Sequence, residues 1–261
     1  MRSVGHPPGT LARRQRRAIW LGLAGVSALA WLDLARMSWS MQRSMAAGIA
    51  CELHPWSAAD AALTLLMWAV MMVGMMVPSA APTSLLFASV AGKASRQGSA
   101  VAPAFVFTAG YATAWTLFSV GATALQWQLE RQALLSPMLA SASPLFGAAL
   151  LVAAGMYQWS PWKESCLAHC RAPAQFLAAH WRPGRWGAFG MGLRHGLYCL
   201  GCCALLMGLL FFGGVMNLLW VAGLSLLVFV EKLAPHGALV ARVAGVALVV
   251  AGEATLVRSF F

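Results

Sequence analysis

Seven apolar runs occupy most of this 261-residue chain, at roughly 18–36, 58–80, 101–125, 144–160, 187–212, 214–232 and 237–257. A run of about 20 apolar residues matches a hydrocarbon layer about 30 Å thick. Backbone amides in lipid must be satisfied within their own segment, so such runs read as helices. The expected fold class is therefore all-α, a polytopic transmembrane helix bundle of about seven spans. Residues 1–17 form a basic cytoplasmic N-terminal arm, and residues 18–261 form a single transmembrane helical domain. Composition agrees: 60% of residues are hydrophobic and 10% are charged, with mean hydropathy +0.71, whereas charged residues make up about a quarter of a soluble domain. The fourth run is short for a bilayer, which implies tilt or local thinning. Gly213-Gly214 leaves room only for a tight turn between the fifth and sixth runs.

The first run follows Arg13, Arg14, Arg16 and Arg17, as a signal peptide would. It is long enough to span, and Asp33–Arg36 offer no small-residue cleavage site, so it reads as a retained first helix. Net charge is +11. The basic residues flank apolar runs, which points to topology and anionic headgroups and away from nucleic acid. With the N-terminus inside, fourteen of the eighteen Lys and Arg residues face the cytoplasm; Arg36, Arg43, Arg131 and Arg258 face out. The expected location is a bacterial inner membrane, with a cytoplasmic N-terminus and an external C-terminus.

Soft metal ligands concentrate in three places. In the fifth run, His195, Cys199 and Cys202 follow an i, i+4, i+7 spacing that places them on one helical face, with Cys203 and Met207 beside it. The segment CLAHC carries Cys166, His169 and Cys170 in the loop before that run, on the same membrane side, and residues 160–186 are long enough to fold back against it. In the second run Met67, Met71 and Met75 form one row and Met72 and Met76 another, with Asp60 on the first stripe. Thiolate, imidazole and thioether suit Cu(I) or Zn(II), and thioethers bind Cu(I) but are poor zinc ligands. Cys is also a common small core residue and Met a common packing residue, so each position alone has a bland reading. Pro78 and Pro82 are expected to end the second helix and free carbonyls there.

Most remaining charges read structurally: Asp33 pairs with Arg36, Glu231 closes a helix-end ion pair beside Lys232, and Asn217 makes a helix–helix bond. Asp60, near the outer end of the second run, reads as interfacial or functional, and Glu253 in the seventh as a functional intramembrane acid or one that reaches the outer surface near Arg258. No G-x-S-x-G, Walker loop, H-E-x-x-H or dinucleotide fingerprint is present.

The segments MWAVMMVGMMVPSAAP, YQWSPWKESCLAHCRAP and GLRHGLYCLGCCALLMGLLFFGGVMNLLWVAGLSLLVFVEKLAP resemble a bacterial family described as predicted metal-binding integral membrane proteins, a domain of unknown function. The resemblance runs from about Leu63 to Gly252. It implies metal binding and places weight on Met71, Met72, Met75, Met76 and Pro78, on Cys166, His169 and Cys170, and on His195, Cys199, Cys202, Cys203 and Glu231.

Residues and resemblance together lead to an integral membrane protein binding a soft metal, Cu(I) before Zn(II), for transport or for delivery to a metallochaperone or recipient protein. The core ligands are Cys199, Cys202 and His195, with Met71 and Met75 as a transfer path. A membrane thiol-disulfide oxidoreductase using Cys199-x-x-Cys202, or a metal-containing membrane oxidase, are the alternatives. The first of these conflicts with thiols on the reducing side.

Overall fold

The computed structural model describes residues 8–47, 56–96, 102–136 and 138–259. Residues 1–7 of the basic arm lie outside the described residues. Helices build the described chain, and no strand occurs among the described residues. They are α1 (Pro8–Ala46), α2 (Ala58–Arg96), α3 (Ala104–Arg131), α4 (Pro144–Tyr157), α5 (Pro161–Arg171), α6 (Pro173–His180), α7 (Gly184–Gly208), α8 (Leu210–Gly213), α9 (Leu218–Leu233) and α10 (Gly237–Arg258).

Five helical stretches are long and apolar enough to cross a membrane: Arg16–Ala46, Ala58–Ala94, Ala104–Arg131, Gly184–Gly213 and Gly237–Arg258. At 1.5 Å per residue α4 is about 21 Å long and α9 about 24 Å, both short of a hydrocarbon core of about 30 Å. α1 starts at Pro8, so Arg13, Arg16 and Arg17 lie on the same helix as the first apolar run.

Local chemistry sets the helix starts. Pro144, Pro161 and Pro173 open α4, α5 and α6, where a missing N–H costs nothing. The Ser143 and Ser160 hydroxyls accept from Phe146 N and Trp162 N. Asn217 is the N-cap of α9, accepting from Trp220 N, while its amide donates to the Gly213 carbonyl at the end of α8 at 3.2 Å, a bond between two consecutive helices. Asp60 accepts from the Ser57 amide and hydroxyl at 2.9 and 2.7 Å while Ser57 Oγ takes the Asp60 N–H, a capping box that accounts for this acid. Gly214, at φ +94°, makes the tight turn after α8.

Two expectations about α2 and about surface charges fail. α2 does not stop at Pro78 and Pro82 but continues to Arg96. Pro78 deprives the Gly74 carbonyl of its helical donor, and the Trp31 indole of α1 supplies one at 3.3 Å. The repair comes from 43 residues away, out of reach of local rules. Among the described residues Asp33 and Arg36 form no ion pair. The ion pairs among the described residues are Lys163–Glu231 and Arg242–Glu164. Exposed pairs gain too little to hold long side chains in place.

α3 and α7 pack closest. A Cβ at Gly192 would strike the Phe107 carbonyl, one at Gly110 the Phe189 carbonyl, and one at Gly196 would crowd Ala114. Small residues four apart, Gly192 and Gly196, let the backbones approach, as in membrane helix pairs. This contact aims the cysteine face of α7 at Tyr111 of α3. α2 packs on α1, α3 and α9, and its methionines share one buried core with Cys199, Cys202, Cys203 and Met207.

Candidate metal centre

Cys199, Cys202 and Cys203 come together as their helical spacing predicts: their sulfur atoms lie within 4.8 Å of one another, and all three side chains are buried. The Cys202 and Cys203 thiols both donate to the Cys199 carbonyl, at 3.1 and 2.8 Å, the usual local bond of a short polar side chain within a helix. Cys199 Sγ has different company. The Lys232 ammonium donates to it at 2.8 Å, and the Tyr111 hydroxyl lies 3.0 Å away while also donating to the Met76 carbonyl at 3.1 Å. Lys232 makes a second bond to Ser79 Oγ at 3.1 Å. Four helices, α2, α3, α7 and α9, thus converge on one sulfur.

α5 brings the CLAHC residues onto α7 through one face. Cys166 Sγ lies against Gly201, where any side chain would clash. The His169 ring stacks on Tyr198, centroids 4.2 Å apart and 7° from parallel, and its Nδ1 pairs with the Ser165 carbonyl. The Cys202 thiol, together with burial, pushes the Cys170 thiol beside it well above the usual thiol range. Burial pushes Cys166 up too, with the Cys202 charge adding to it. The loop therefore folds back as expected, and Cys170 packs against the core that holds the cluster, outside the three-thiol group itself.

His195 lies on the same buried face but outside the group of mutually close ligand atoms. Its ring sits among Phe107, Tyr111 and Phe176, centroids 6.0, 5.7 and 5.1 Å away, and its Nδ1 has no hydrogen-bond partner. Met71 and Met75 are buried in the core that holds the thiols.

Glu231 and Lys232 do not pair with each other. Adjacent residues on a helix point about 100° apart. Glu231 takes the buried Lys163 ammonium at 2.7 Å and the Gln158 amide at 3.0 Å, while Arg171 donates to its carbonyl oxygen at 2.8 Å. Lys232 is left to face the thiols. Sequence reasoning missed Lys232, Tyr111 and Ser79. The usable signal was the impossibility of an i, i+1 pair, which leaves one of two charges without a partner in an apolar segment.

A buried set of three close thiols with a fourth beside it offers soft sulfur donors and little else, a donor chemistry that fits a soft metal ion. No curated protein and no solved structure matches this chain. A family profile does match, over residues 65–255, and its description is a copper chaperone. The matched segment contains every cysteine of the cluster, Lys232 and both methionine rows, and on that match the chain belongs to the PpoB2 copper chaperone family.

Proposed function

We propose that the chain is a multi-pass bacterial inner-membrane protein that binds Cu(I) as cargo at Cys199, Cys202 and Cys203 and hands it to a recipient protein. The observation that carries this reading is the buried Lys232 ammonium 2.8 Å from Cys199 Sγ within a three-thiol cluster. Cu(I) held by two of these thiolates, with the third still protonated, has one net negative charge, which the ammonium cancels. Zn(II) held by all three thiolates has the same net charge, so the copper assignment rests on the soft sulfur donors, the thioether rows and the family match.

In this reading the half-buried Cys170 is the way in, passing the ion to Cys202 by thiolate exchange, with Cys166 and His169 docking α5. Met71 and Met75 line the onward path as thioether ligands. His195, with its free Nδ1, takes the ion only in passing. Seven crossings require the bilayer to thin around α4 and α9, since tilt would shorten their reach further. The N-terminus is then cytoplasmic and the C-terminus external.

Copper and zinc content of purified wild type and of Cys199→Ser, Cys202→Ser and Met71→Leu variants tests the assignment. One copper in wild type and none in the two Cys variants is expected, with slower loading in Met71→Leu. Full copper in the Cys variants sinks the ligand set. Zinc in place of copper moves the cargo. A metal-free protein with a reducible Cys170–Cys202 disulfide supports the thiol-oxidoreductase alternative.

A further inference from the structure

A cavity of about 560 Å³ opens at the α6–α7 corner, away from the thiol cluster. Arg182 and Arg194 line it, and Trp181, Trp186 and His180 complete its walls; no Asp or Glu contributes. Neither guanidinium has a hydrogen bond or ion pair, although other charges of this region are committed: Arg171 holds the Glu231 and Pro235 carbonyls, and Arg242 pairs with Glu164. Arg185, the second residue of α7, adds a third cation, also exposed and without a partner among the described residues. Trp186 is 87% exposed, and an indole in that state belongs at a membrane–water boundary. Guanidinium groups bind phosphate through paired N–H donors, and a cavity of this size holds a headgroup with its glycerol.

We propose that Arg182 and Arg194 bind a phosphate group here, that of an anionic phospholipid headgroup. Only the lipid source rests on the membrane reading above; the phosphate chemistry does not, and nothing in it depends on copper. The cationic corner anchors the chain at the α6–α7 junction.

The test uses the purified full-length chain in detergent with short-chain phosphatidylglycerol as the probe, binding being read by native mass spectrometry. Inorganic phosphate is titrated as a competitor. Near a surface each Arg contributes enough that losing both weakens binding about 30-fold. Arg182→Gln/Arg194→Gln should show that loss, Arg182→Lys/Arg194→Lys should keep most of the affinity, and copper content should be the same in all three proteins. Arg194→Gln alone serves if the double variant does not fold, with a loss of about fivefold expected. Inorganic phosphate that binds wild type in an Arg-dependent way, where phosphatidylglycerol does not bind at all, supports the phosphate site and assigns it to the free ion. Equal phosphatidylglycerol binding by wild type and the Gln variants overturns the proposal.

Discussion

Two buried lysines meet at one turn of α9, Lys163 coming from α5 and Lys232 from α9 itself, and their surroundings differ in kind. Lys163 meets Glu231 at 2.7 Å, and the other carboxylate oxygen takes the Gln158 amide. Cation and anion cancel, both carboxylate oxygens are used, and α4, α5 and α9 are tied together. Lys232 meets a thiol and a hydroxyl and no carboxylate. The first site is closed: any added ion would break a satisfied pair. The second site is open: its cation is matched only when sulfur carries negative charge. Neighbours in sequence, Glu231 and Lys232 therefore divide into a clamp and a site, and the helical turn between them makes the division.

The largest effect should fall on the clamp. Glu231→Ala leaves Lys163 buried without its partner, and breaking such a pair costs about 3–5 kcal/mol. Denaturant unfolding of the detergent-solubilised variant measures it. The double variant Lys163→Met/Glu231→Leu should recover most of that loss, because it removes both charges together. Copper per folded molecule should not change in either. A Glu231→Ala protein as stable as wild type would erase the distinction between the two sites.

Next comes the open site. Lys232→Met should lower Cu(I) affinity by about 10–100-fold, the usual penalty for losing a partner of a metal ligand. Lys232→Arg should keep most of it by preserving the charge. Competition with a Cu(I)-selective chelator reads both. If Lys232→Met bound Cu(I) as tightly as wild type while losing stability like Glu231→Ala, Lys232 would be a second clamp.

The same comparison marks how far the sequence could be read. Helices were legible because apolar runs this long leave a backbone no alternative if they enter lipid. The number of candidate spans was less so, since α4 and α9 are apolar but shorter than a span needs. The thiol cluster was legible because Cys199, Cys202 and Cys203 share a helical face, a purely local fact. Cys170 followed from a loop long enough to fold back. Long-range repairs were not legible: nothing near Pro78 indicates that Trp31 will supply the donor its carbonyl partner lacks. Lys232 was misread although local geometry was sufficient, because Glu231 offered an opposite charge nearby in sequence, though not in direction.

A smaller effect should come from Tyr111, which spans the two halves of the open site by touching Cys199 Sγ and donating to Met76 O. Tyr111→Phe keeps the ring packed against His195 and removes only the hydroxyl. Loss of one such hydrogen bond costs about 1 kcal/mol of stability, with a change in Cu(I) affinity well below that of Lys232→Met. Unfolding and chelator competition on one preparation separate the two. An affinity loss larger than that of Lys232→Met would make the hydroxyl, and not the ammonium, the group that holds Cys199 in place.

The smallest effect is kinetic and lies on α5, the helix that supplies Lys163 to the clamp and Cys170 to the site. The thiolate is the nucleophile in alkylation, so a thiol whose pKa is raised has less thiolate at a given pH and reacts more slowly. Cys170 is raised chiefly by the Cys202 thiol beside it, and Cys166 chiefly by burial. In copper-free protein at pH 8 both should alkylate more slowly than a free cysteine, Cys170 the slower of the two. Both rates should climb with pH, with midpoints on the alkaline side of the ordinary thiol range. Cys202→Ala removes the Cys170 partner and should bring its rate close to that of Cys166, while Glu231→Gln, which disturbs only the clamp, should leave the order of the two rates as it was. Peptide mass spectrometry after timed iodoacetamide quenching from pH 7 to 10 gives each rate separately. A Cys170 that reacts like a free thiol at pH 8 would mean that α5 reaches the clamp but not the cluster, and the open site would lose the sulfur beside it.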